Sequence, residues 1–199
     1  MRFTPGDSWT WSYKSFDGDE YLGLFLTLDN GVRYFFRTNF KAEHLAVFPE
    51  AGQPFCVLDG QLLNDFMTGL DAIGVYDNSS EHEVSINMEL ALNAVACYRF
   101  VNAPKRAIEH AFLPYNRPDI SIHRGMVASL YTKDRSVCDF IVLDNEDEAK
   151  DGIFRLMFAN RSFHIGNRVL SVGALIKVPR KVICPFRSMS VHSTDINYA

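Results

Sequence analysis

The stretch LFLTLDNGVRYFFR, Leu24 to Arg37, constrains the fold more than any other part of this chain, because it reads as a β-hairpin with apolar residues on both faces. Asn30-Gly31 suits the positive φ values of a two-residue type I′ turn. That turn would set Leu28 opposite Arg33, Leu26 opposite Phe35 and Leu24 opposite Arg37, leaving Phe25, Thr27, Tyr34 and Phe36 on the other side. A sheet that is apolar on both faces needs two covers. One can come from the chain itself; the second is expected to be left partly open, as a concave surface for a partner.

Upstream, WTWSYK alternates so that Trp9, Trp11 and Tyr13 share a strand face, and SFDGDE turns the chain into Tyr21–Leu28. A three-stranded antiparallel meander follows. After PEAGQP, Asp59 is placed to cap a helix with Leu62, Leu63, Phe66, Met67 and Leu70 along one stripe. A second helix starts at an S-x-x-E capping box, Ser80 to Glu83, and runs to Val101. From Met88 to Phe100 it is apolar on nearly every side, so it should be enclosed between the meander and another layer.

Beyond LPYNRPD the pattern is strands alone: 120–131, 137–143, 153–158, 169–172, 174–178 and 182–186, joined by short polar links. The expected fold class is therefore α+β. An N-terminal antiparallel meander packed with helices and bearing a pocket (residues 1–117) precedes a small all-β, barrel-like domain (118–187), with 188–199 as a frayed tail.

No catalytic signature is present. G-x-S-x-G, the phosphate-binding loops and H-E-x-x-H are missing, and the six histidines show no metal-ligand spacing. The acidic DNEDEAKD stretch lacks the alternating ligands and glycine of a calcium loop. The four cysteines sit about forty residues apart in apolar surroundings, as reduced cysteines do. No apolar run approaches the roughly 20 residues needed to span a bilayer, and the N-terminus lacks a secretory h-region. These features point to the cytoplasm, with no metal, cofactor or membrane.

Charge is uneven. Through Arg117 there are nine Lys and Arg against fifteen Asp and Glu, whereas the remainder carries eleven against nine. KVPRKVICPFR holds Lys177, Arg180, Lys181 and Arg187 without an acid, either as a patch for an acidic partner or as a guarded strand edge. Nucleic acid fits poorly, since most aromatic residues fall in the acidic half and the basic stretch offers only Phe186. A small-ligand pocket in the aromatic first half is the alternative from another class.

MRFTPGDSWTWSY, LDNGVRYFFRTNF, AGQPFCVLDG, ELALNAVACYRF followed by PK, and GNRVLSVGALIKV together, in this order, resemble the bacterial ZapC cell-division family. The resemblance implies a cytoplasmic, non-enzymatic accessory protein recruited to the midcell ring. There it would bind FtsZ, the tubulin-like GTPase of the division ring, and promote lateral association of its filaments. It also implies two domains with pocket-like concavities and no cofactor. The chain departs from the family in a longer KSFDGDEY connection, in Asn102 where a basic residue would strengthen the patch, and in a longer tail.

A filament-bundling protein must touch two filaments, through two surfaces of a monomer or through weak self-association. Two candidate surfaces follow from the sequence. One is Leu22, Leu24, Leu26 and Phe35 rimmed by Arg33 and Arg37. The other is the cationic set Arg99, Lys105 and Arg106, extended by Lys177, Arg180 and Lys181. The commoner role of such leucines is to fill a core, and of such arginines to border one.

Overall fold

The computed structural model describes residues 8–28, 31–73, 86–102, 104–115, 121–145, 152–159, 163–165 and 168–186. Strands β1 (Trp9–Phe16), β2 (Asp19–Thr27) and β3 (Arg33–Lys41) form the meander, and β4 (Gln53–Pro54) joins β1, giving an antiparallel sheet of order β3-β2-β1-β4. Two helices follow, α1 (Val57–Ile73) and α2 (Ile86–Phe100). The capping box at Ser80 lies outside the described residues.

The second sheet comprises β5 (Val127–Tyr131), β6 (Val137–Asn145), β7 (Ile153–Phe158), β10 (Leu175–Pro179) and β11 (Cys184–Pro185) in the order β10-β7-β6-β5-β11. A separate hairpin pairs β8 (Phe163–Ile165) with β9 (Arg168–Leu170). The chain is thus mixed α+β with antiparallel sheets. Among the described residues no pairing joins β10 to β11, so no closed barrel is found there.

The hairpin register differs from the expected one by a residue. Leu28 donates its N–H to the Val32 carbonyl and Gly31 to that of Leu28, so three residues separate the closing pair, with Gly31 at φ +81°. This is the loop length in which a left-handed glycine follows a turn, and here it displaces the two-residue solution. Leu24 consequently faces Phe36, Phe25 faces Phe35 and Leu26 faces Tyr34. Because side chains alternate, the slip moves Phe35 to the side opposite the leucines.

The leucine side is the core. Trp9, Trp11, Leu22, Leu24 and Leu26 are buried together with Leu62, Phe66 and Leu70 of α1 and with Leu92, Val95 and Ala96 of α2. The same cluster takes in Val127, Ile141, Leu143 and Met157 from the second sheet, so the helices lie between the two sheets. That position accounts for the all-round apolar character of α2. The far face of the second sheet, including Phe140, Val142, Leu156 and Phe158, packs under Phe112, Val182 and Ile183.

Cysteine placement gives a direct check on this packing. Burial pushes the Cys97 and Cys138 thiols up to about 12, while Cys184 is buried and Cys56 exposed. A thiol shifted in this direction stays protonated in the folded protein well above the ordinary value, so it is a poor nucleophile. Iodoacetamide at pH 8 is expected to modify Cys56 alone until denaturant is added. Fast labelling of a second thiol in the native protein would contradict the packing described.

Candidate functional site: two exposed surfaces

The outward face of the first sheet is a bed of aromatic rings topped by cations. Phe25 and Phe35 lie 4.7 Å apart between ring centroids, and Phe16 stacks on Phe35 at 6.0 Å. The Arg33 guanidinium stands 4.6 Å from the Phe25 ring, and Arg37 stands 5.0 Å from both Phe16 and Tyr21. Lys14 reaches over Phe16 and Phe35. Gly23 makes this bed flat, because a Cβ there would fall 2.3 Å from the Phe35 ring. Lys14, Arg33 and Arg37 are exposed, and the rings are half-buried.

Three of the expected contact residues belong elsewhere. Leu22, Leu24 and Leu26 are at most 3% exposed. Each such burial contributes roughly 1.5–3 kcal/mol, so presenting all three to a partner would forfeit a large part of the about 5–15 kcal/mol that holds a domain together. They are core residues, and Arg33, Phe35 and Arg37 form a surface without them.

Arg99 is likewise structural. Asp59, fully buried, accepts hydrogen bonds from the Trp11 indole at 3.1 Å, the Cys56 backbone N–H at 2.9 Å and the Arg99 guanidinium at 2.5 Å. Asp59 is not the residue before the helix but lies in its first turn, reaching back to the N–H that precedes α1. The network ties β1, α1 and the end of α2 together.

The remaining cations run along one edge of the second sheet. Ile108 donates its N–H to the Lys177 carbonyl and Tyr115 to that of Lys181, and the Lys181 ammonium pairs with Glu109. This brings the segment holding the exposed Lys105 and Arg106 alongside Lys177, Arg180 and Lys181. Glu109 neutralises part of the strip. Arg187 lies outside the described residues.

A second surface was not foreseen. Val47, Phe48, Val57 and Leu58 are 56%, 63%, 80% and 43% exposed. Ala46 and Val47 both donate N–H to the Phe100 carbonyl, and Arg99 touches the Cys56 Sγ, so both apolar pairs converge on the C-terminal end of α2. Val57 and Leu58 begin a helix whose buried stripe starts later, and FPE and CVL give no sign of being neighbours. Only the tertiary fold brings their two segments to the same helix end.

A groove of about 230 Å³ lies beside β3, lined by Trp11, Phe36, Arg37, Thr38, Glu89 and Leu92 among others. It falls below the about 300–1,000 Å³ usual for small-ligand sites. Among the described residues no group of three or more His, Cys, Asp or Glu could hold a metal, and no helix is long and apolar enough to cross a membrane.

Residues 2–102 match the family described as "Cell-division protein ZapC, N-terminal". The Cell division protein ZapC of Aeromonas hydrophila subsp. hydrophila is 34% identical over 100 residues, which cover 50% of this chain and 49% of the relative's length. The matched region carries the meander, both helices, the cation-topped face and the exposed Val47, Phe48, Val57 and Leu58. The chain belongs to the ZapC family of cell-division proteins.

Proposed function

We propose that this chain is a non-enzymatic, cytoplasmic accessory protein of division that binds FtsZ polymers at midcell and promotes their lateral association. The observation that carries the reading is the exposure of Val47, Phe48, Val57 and Leu58 on two segments that meet at the end of α2, in a member of this family. Four large apolar side chains left in water at converging segments are the composition of a protein contact. The chain leaving that end of α2 carries the exposed Lys105 and Arg106 on to the cationic strip of the second sheet.

Bundling requires a second contact. The face bearing Arg33, Phe35 and Arg37 provides it from the outside of the first sheet, and the strip of Lys177, Arg180 and Lys181 adds positive charge on the other sheet. Weak contacts of this kind gain strength through the many equivalent positions along a polymer, so neither surface needs high affinity alone.

Co-sedimentation with FtsZ tests the reading. The chain is expected to pellet with FtsZ in GTP and to remain soluble in GDP, with more polymer recovered and with binding weakened by salt. Val47→Asp with Phe48→Asp, both on the surface, should cut the pelleted fraction several-fold without altering thermal unfolding. A chain that stays in the supernatant while FtsZ polymerises normally overturns the proposal.

A further inference from the structure

We propose that the outward face of the first sheet docks an acidic, aromatic-bearing segment of a partner protein, its carboxylates on Arg33, Arg37 and Lys14 and its ring against Phe35. The inference rests on the reading of this face as a contact surface and assigns the chemistry it recognises. Other cations of the structure pair with an acid: Lys41 with Asp19, Arg99 with Asp59, Arg155 with Asp144 and Lys181 with Glu109. Lys14, Arg33 and Arg37 have rings beneath them and no carboxylate in reach among the described residues. In a chain with 24 acids against 20 bases, three such cations on one face are a local excess of positive charge.

The rings explain how that excess is used. A guanidinium lying over a ring keeps its in-plane N–H groups free for the paired oxygens of a carboxylate, and stacking limits the rotamer freedom it would otherwise lose on binding. Guarding a strand edge requires only the charge and no aromatic support. Single-stranded nucleic acid is disfavoured because its phosphates would meet a chain of 24 acids against 20 bases beyond this face, whereas nucleic-acid binders carry a basic balance.

The test uses the full chain and fluorescein-labelled synthetic probes read by anisotropy: a peptide alternating Glu and Phe, the same peptide with Lys for Glu, and an oligothymidylate of equal length. The Glu/Phe peptide is expected to bind saturably and to weaken with salt, the Lys/Phe peptide not to bind, and Arg33→Glu with Arg37→Glu to reduce affinity at least about tenfold while thermal unfolding is unchanged. Equal binding by this variant, no saturable binding by the Glu/Phe peptide, or tighter binding of the oligothymidylate overturns the inference. Peptide binding without FtsZ co-sedimentation upholds it and removes the filament reading; co-sedimentation without peptide binding does the reverse.

Discussion

Arg99→Leu is expected to lower the free energy of unfolding by about 3–5 kcal/mol, because it strands a buried carboxylate without its cation. Asp59 has no exposure to solvent, and its remaining donors, the Trp11 indole and the Cys56 N–H, are neutral. The same substitution at the exposed Arg106 should change stability by no more than about 0.5 kcal/mol. Urea titration of both variants compares them under one condition. Adding Asp59→Asn to Arg99→Leu removes the stranded charge while its amide oxygen can still accept from Trp11 and Cys56, so at least half of the loss should return. A loss below about 1 kcal/mol for Arg99→Leu would mean that the network does not hold β1, α1 and α2 together. It would also return Arg99 to the surface cations from which the structure removes it.

The reading of Arg99 illustrates which kind of information a sequence carries. Local periodicity placed the strand with Trp9 and Trp11, the α1 stripe and the enclosed helix α2, because each depends on side chains a few residues apart. Asp59 stands forty positions before its cation, and nothing near either residue announces the pair. The hairpin failed for a subtler reason. Asn30-Gly31 suits two loop lengths, and the choice between them decides the face on which every later side chain falls. One residue of slip separates a leucine surface with Phe35 at its centre from a buried leucine core with Phe35 on the outside. The aromatic and cationic residues were all visible in the first forty positions, but their alignment on one face was not. Val47, Phe48, Val57 and Leu58 depend on two segments meeting at the end of α2, which no single stretch encodes.

Two glycines of α1 should respond in opposite ways to one substitution. At Gly60 a Cβ would meet nothing within 4 Å, so alanine is expected to stabilise the helix by about 0.5–1 kcal/mol through backbone entropy alone. At Gly69 the same methyl group would lie 1.8 Å from the Gly125 carbonyl oxygen and 2.6 Å from its carbon. Both are backbone atoms, so no rotamer change relieves the clash. Gly125 cannot readily move, since it turns at φ +83° and its own Cβ position falls 2.3 Å from the Asp65 carbonyl oxygen. Helix α1 would have to withdraw from the turn before β5, loosening Phe66 and Leu70 in the shared core. The packing cost, about 3 kcal/mol or more, exceeds the propensity gain of about 1 kcal/mol, so Gly69→Ala should be clearly destabilising. Thermal unfolding of the two variants side by side reads the difference directly. A neutral or stabilised Gly69→Ala protein would show that α1 does not seat backbone to backbone on the second sheet, and the layer joining the two exposed surfaces would then be looser than described.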